Sequence, residues 1–410
     1  MTTDAGALDG LTVLDLSDAR GNYCGKLFAE LGADVVLVEP RGGNALRHRG
    51  PFANGVSQMD GSLSFIARNN SKRSLGLDIG ARQGREVLRE LASRADLVIE
   101  SSMPGTLDAA GIGYRDLAAV NPRLVMVSIT PFGQTGPLAD LDAPDLVCMA
   151  LGGLLYLGGY VQGDPMCAPE EQAYAAASVF GAVGGMIATL HAETTGTGQH
   201  VDVSIQESVA LATENAVQFF DLEGRIRRRT GGTQKQAGMG VFPCRDGFVL
   251  VMAAGIGGNR FWPNLLKWLH EEGCADAERL SGPEWSGHGY TDTDEARQVF
   301  AEVFEPFAAQ RGKQELNDEA QRFRVPLAPV NAPSDVLSSP QLAHRQYFQP
   351  LFLGSAAPLR MPGAPYQLSV TPWRCTRRAP GLGEHTDEVL RQAGYGPSQV
   401  RALRDAEVVW

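Results

Sequence analysis

Residues 11–40 read LTVLDLSDARGNYCGKLFAELGADVVLVEP. The run at 11–16 is short and apolar, as a strand buried on both faces requires. Residues 25–33, GKLFAELGA, follow as a helix that ends at Gly32. A second apolar strand, 34–40, stops at Pro40. Near-continuous apolar strands with a helix between them indicate a parallel sheet covered on both faces. The pattern continues downstream, with an amphipathic helix at 84–95 (GREVLRELASRA) and strands at 96–101 (DLVIES) and 124–129 (LVMVSI). Such sheets hold ligands at the carboxyl ends of their strands. No G-x-G-x-x-G follows the first strand, so the sequence gives a dinucleotide little support.

Farther along, AYAAASVFGAVGGMIATL at 173–190 belongs to a long helix over about 170–192, rich in Ala and Gly. Small residues transfer weakly into lipid and let backbones approach closely, so the expectation is a helix buried in a core or a subunit interface. A strand and another helix start lie in GTGQHVDVSIQESV. The composition then shifts at 224–232, GRIRRRTGG, where a domain boundary is expected. Residues 240–254 read as a hairpin turning at Arg245-Asp246-Gly247. Helical stretches follow at about 260–271 and 293–324, then an expected linker at 325–337, and two short helices flank Gly394 to Pro397. The glycine run GIGGN at 255–259 reads as a turn rather than a phosphate cradle. The expected division is 1–224 and 331–410 for a large domain, with 225–330 as a small middle domain.

The 410 residues are 43% hydrophobic and 20% charged, with a net charge of −11. An acidic chain is a poor partner for nucleic acid or for an anionic membrane, and neither is expected. The six cysteines make no C-x-x-C pair and no Cys/His cluster, so no metal site is expected. Reduced cysteines and an N-terminus without a signal-peptide pattern point to the cytoplasm. The arginines at 225 and 227–229 read as a solvated hinge, or as a contact for an acidic partner or a nucleotide. The histidines, His200 and His385 among them, have no plausible partner nearby in the sequence.

Four stretches match one family together. They are GLTVLDLS with LGADVVLVEPRGG; NNSKRSLGLDI with ADLVIESSMPGTLDAAGIGYRDLAAVNPRLVMVSITPFGQTGP; ETTGTGQHVDVSI; and LGEHTDEVL. Collinear from residue 9 to 409, they make the chain resemble the class III CoA-transferases. The resemblance implies an α/β fold, with a Rossmann-like large domain built from both ends of the chain and a small α+β middle domain. It also implies a dimer interlocked like two rings. The implied reaction moves CoA from an acyl thioester to a carboxylate through an aspartate, because a carboxylate can form a mixed anhydride that CoA thiolate reopens.

Against that pattern the chain departs in three places. Counting back from Thr195-Gly196-Thr197-Gly198-Gln199, the nucleophile's position falls on Tyr174. A phenol of pKa about 10 is almost wholly protonated at neutral pH and forms no anhydride. Glu171 and Glu170 lie three and four residues earlier, one helical turn away. They read either as the acidic first turn of the helix, behind Pro169, or as a relocated nucleophile. Second, the loop SDARGNYC at 17–24 replaces the family's Ala-Gly-Pro turn beside the thioester, and puts Arg20, Gly21 and Asn22 there. Third, Ala109, Leu141 and Pro144 stand where the family places an arginine, a basic residue and a tyrosine. Loss of two charged contacts of about 1.5–3 kcal/mol each implies CoA binding weaker by roughly a hundredfold or more, absent compensation. Arg41, Leu77 and Gly21 are the positions that the resemblance places near CoA.

Heteromers of this family exist in which one of two related chains lacks the aspartate. The expectation is therefore a non-catalytic subunit paired with a paralogous catalytic chain. The CoA thioester would be a substrate of the complex and not a tightly bound cofactor. Succinyl-CoA and an aromatic succinate such as benzylsuccinate are the expected donor and acceptor. The rivals are an active homodimer using Glu170 or Glu171, and a scaffold without CoA chemistry.

Overall fold

The computed structural model describes residues 5–53, 58–254, 259–286, 288–352 and 358–410. The glycine run at 255–259 lies, but for Asn259, outside them. The chain divides into two units. One comprises Met1–Leu155, Cys167–Gly224 and Gln341–Trp410, the other Tyr156–Met166 and Arg225–Pro340.

Six strands form the sheet of the first unit: β1 (Thr12–Asp15), β2 (Asp34–Glu39), β3 (Arg73–Gly76), β4 (Leu97–Glu100), β5 (Val125–Thr130) and β6 (His200–Ser204). Their order is β3-β2-β1-β4-β5-β6, and every pairing is parallel. Apolar side chains alternate between two cores. Val13, Val35, Ile99, Val127 and Ile129 pack with α1 (Asn22–Ala29). Leu14, Val36, Val98 and Met126 pack with α2 (Arg82–Ala92), α3 (Tyr114–Val120) and residues of the last two helices, Thr386–Gln392 and Pro397–Asp405. Burial on both faces explains why these strands read as unbroken apolar runs. The C-terminal segment is part of this unit: Leu77 bridges Val409, the Asp78 amide donates to Val408 O, and the His385 amide donates to Ser74 O.

After α4 (Asp145–Leu151) comes the long helix α5 (Gln172–Thr195). Ala173, Ala177, Gly181, Gly185, Ala188 and Ala192 recur every three or four residues and form its buried face. A Cβ added at Gly181 would sit 2.9 Å from Ile129 Cδ1, and one at Gly185 would sit 3.0 Å from Val127 Cγ2. The small side chains are what let the helix lie close to the sheet. Its other face carries Val179, Phe180, Val183, Ile187 and Leu190, all exposed. By length and composition alone, α5 could cross a membrane.

The second unit holds β7 (Met239–Cys244) and β8 (Gly247–Met252), an antiparallel hairpin in which Cys244 faces Gly247 across a two-residue turn. Residues 325–337, expected as a linker, instead hold a third strand, β9 (Leu327–Val330), and a short helix, Pro333–Leu337. Pro329 is tolerated because β9 lies at the sheet's edge. Helices α6 (Trp262–Glu271), α7 (Asp294–Ala309) and α8 (Lys313–Phe323) cover the sheet around an aromatic core. In that core Trp262 stacks on Trp285 at 4.9 Å, and Phe242 meets Phe300 and Phe304. The loop at 156–166, assigned to the large domain from sequence, belongs to this unit. Arg229 ties it there by donating to the carbonyls of Tyr156, Tyr160 and Gly163. The unit likewise ends at Pro340, past the expected boundary at 330.

Candidate active site

The strand order reverses direction at β1, which pairs with β2 on one side and β4 on the other. The crevice at the carboxyl ends of β1 and β4 is therefore where a ligand is expected. The loop after β1 shapes it, and that loop rests on a buried knot. Asp15, the last residue of β1, accepts from Lys72 Nζ at 2.6 Å and from Ser17 N at 3.0 Å. Lys72 also donates to Asn22 O at 2.7 Å and Asn69 Oδ1 at 2.8 Å. Both charged side chains are fully buried. Gly25 makes room for the pair, since a Cβ there would meet Asp15 Oδ2 at 2.3 Å.

On the open side of the loop stands Arg20. Its guanidinium donates to Ser101 O at 3.2 Å, just past β4, and to Asp142 Oδ1 at 2.7 Å, with Asp18 Oδ2 3.8 Å away. Its own carbonyl accepts from Ser178 Oγ of α5 at 3.0 Å. Gly21 follows in a tight space, because a Cβ there would come within 2.7 Å of Ser17 Cβ. Gly21 thus shapes the loop and opens α1, where it is the N-cap residue.

Tyr174 lies in the first turn of α5 and is buried. Burial pushes its phenol up to about 12, while Arg20 pulls the other way through its charge and a hydrogen bond. At neutral pH the group is a neutral hydroxyl near the Arg20 guanidinium. It can neither attack a thioester nor hold a mixed anhydride.

The acidic first turn expected at Glu170 and Glu171 is not there. The helix begins at Gln172, with Glu171 as a cap residue that makes no side-chain cap bond. Glu170 has a φ of 65°, a left-handed conformation that a helical turn excludes. Asp145 takes over the capping: its Oδ1 accepts from the Tyr174 amide at 3.0 Å, and the carboxylate also bonds the Ala173 amide. Glu171 is clamped by Arg49 and Arg68. A carboxylate held in two ion pairs has its lone pairs engaged and makes a weak nucleophile. Glu170 is exposed, and neither glutamate continues the helical face of Tyr174.

The sequence profile described as CoA-transferase family III matches residues 8–386. This chain belongs to CoA-transferase family III. It is 42% identical over 394 residues to the BbsE subunit of succinyl-CoA:(R)-benzylsuccinate CoA-transferase of Thauera aromatica, covering 95% of each chain. It is 29% identical to the β subunit of succinyl-CoA–L-malate CoA-transferase of Chloroflexus aurantiacus, covering 100% of this chain and 99% of that one. Among solved structures, a CAIB/BAIF family protein from Brucella suis superposes with a TM-score of 0.85 at 26% identity, over 95% of this chain and 100% of that one.

In this family III chain the positions expected near CoA are not alike. Leu77 is 1% exposed beneath Val409 and packs as a core residue. Arg41 is open to solvent, yet it pairs with Glu407 at 3.2 Å and lies over the Trp410 ring at 5.8 Å. Leu77, Arg41, Arg20 and Ser101 follow the carboxyl ends of β3, β2, β1 and β4 in turn. Ala109 and Leu141 are exposed, and Pro144 caps α4. Sequence reasoning missed Asp142 and Asp145, although both stand in the ADLDAPD stretch that showed the lost basic residue. It also missed His200, which bonds Ser128 Oγ at 2.8 Å and stacks on Tyr114 at 5.4 Å. His385 Nδ1 likewise accepts from the Ser74 amide at 3.3 Å. Among the described residues, no group of three or more His, Cys, Asp or Glu is placed to hold a metal.

Proposed function

We propose that this chain is the non-catalytic subunit of a heteromeric CoA-transferase, interlocked with a paralogue that carries the nucleophilic aspartate. The complex moves CoA between an acyl-CoA and a carboxylic acid. Succinyl-CoA as donor and an aromatic succinate as acceptor follow from the kinship with the benzylsuccinate enzyme's subunit. The CoA thioester is a passing substrate of the complex, and the complex works in the cytoplasm.

One observation carries the reading: where the resemblance places the nucleophilic carboxylate, this chain has Tyr174, a buried phenol that stays neutral. Two more support it. Both nearby glutamates are turned away or ion-paired. The exposed apolar row of α5 suits a partner chain that covers it.

The test is CoA transfer from succinyl-CoA to benzylsuccinate. The pure chain is expected to be inactive, and co-expression with an aspartate-bearing paralogue to give activity. Turnover by the pure chain, or a hydroxylamine-sensitive adduct on Glu170 or Glu171, overturns the reading.

A further inference from the structure

We propose that Arg20 is an internal cation that seals the crevice between β1 and β4, so that this chain admits no acyl carboxylate there. The proposal extends the reading of a missing nucleophile, but it stands on different atoms. The crevice is bridged on both sides of its mouth. The Asp18 amide donates to Ser101 Oγ at 2.9 Å, and Ser101 Oγ donates back to Asp18 Oδ1 at 2.9 Å. Arg20 adds the bond to Ser101 O and reaches outward to Asp142. From α5, Tyr174 and Ser178 close on the same residue. One residue thus joins the β1 loop, the end of β4 and the segment before α4 through its side chain, and the first turns of α5 through its carbonyl.

The charges match a closed site. Arg20 is 15% exposed at its side chain, and two carboxylates, Asp18 and Asp142, lie against it. An arriving carboxylate finds its cation already neutralised and meets two like charges, which disfavours its entry.

The chain carries its own reporter for the seal. Cys148 of α4 is fully buried in the core cluster that includes Tyr174, and it feels the charge of Arg20. Cys24, also fully buried, faces Gly181 from the interior, and Cys167 is exposed. The experiment is N-ethylmaleimide labelling of the full chain at pH 8, read cysteine by cysteine by peptide mass spectrometry. In the unaltered chain Cys167 reacts, while Cys148 and Cys24 stay silent. In Arg20→Ala, Cys148 is expected to react on the order of tenfold faster while Cys24 stays silent. Loss of the cation alone raises the Cys148 thiol further and slows its reaction, so acceleration reports access. Asp142→Ala, at an exposed side chain, is expected to accelerate the same cysteine by a smaller factor. A silent Cys148 in both variants overturns the seal, and so does Cys24 reacting along with Cys148, which would make Arg20 a general prop. Either failure leaves the missing nucleophile untouched, because labelling reads access and not turnover.

Discussion

Two cations flank the loop that follows β1, and they are built differently. Lys72, behind the loop, is fully buried against Asp15 and uses its remaining donors on Asn22 O and Asn69. Arg20, in front, is anchored to Ser101 but ends on Asp142, whose side chain is 67% exposed. The rear pair is closed off from water, and its further bonds all go to buried groups around it. It is a foundation that holds the loop's shape. The front cluster faces water, has a replaceable outer member, and sits where a ligand would come. The two cations thus brace one loop in different ways, one from a dry interior and one at an open edge.

That contrast can be broken most severely from behind. Lys72→Met leaves Asp15 buried and unpaired and is expected to cost about 3–5 kcal/mol. A urea midpoint that falls with an unchanged slope would show it. Adding Asp15→Leu is expected to restore much of the loss, since a buried pair exchanged for apolar residues is often neutral.

Glu30, the C-cap residue of α1, is also buried. It is 4% exposed, bonded to Trp373 Nε1 at 3.1 Å and 3.6 Å from Lys26 Nζ, and burial pushes its carboxyl up to about 7. A carboxyl raised in the folded state contributes stability that is fully present below its unfolded value near 4.5 and lost as pH rises through about 7. Unfolding free energies measured from pH 5 to 8 are expected to decline by up to about 3 kcal/mol in the unaltered chain relative to Glu30→Gln.

The front is expected to yield less. Arg20→Ala removes charged hydrogen bonds at a partly open site, for a loss of about 1–2 kcal/mol. Asp145→Ala uncaps α5 and costs about 1 kcal/mol. Smallest of all, Arg41→Ala, at an exposed pair, is expected to stay within about 0.5 kcal/mol in thermal or chemical unfolding. A loss at Arg20 as large as that at Lys72 would erase the distinction between foundation and closure.

Local pattern carried most of the fold. The apolar runs of β1, β2, β4 and β5 and the small-residue row of α5 announce themselves over short stretches. β3 did not, because RSLG begins with two polar residues. It is buried nonetheless, since Arg73 is paired with Asp34 and Glu388 across the sheet's end. β9 was hidden by Pro326 and Pro329, which an edge strand accepts. At the site, Tyr174 was legible as the residue that stands where the resemblance places the nucleophile. The role of Arg20 was not, because its partners lie 81 and 122 residues away. The start of α5 was misplaced for the same kind of reason: dipole arguments favour Glu170 and Glu171 in the first turn, whereas Arg49, Arg68 and Asp145 reach in from elsewhere.

The long helix inverts the usual arrangement of sizes, with alanine and glycine inside and Val183, Ile187 and Leu190 outside. Water drives such rows together, so the helix face that lies open here is also a liability to self-association in concentrated solution.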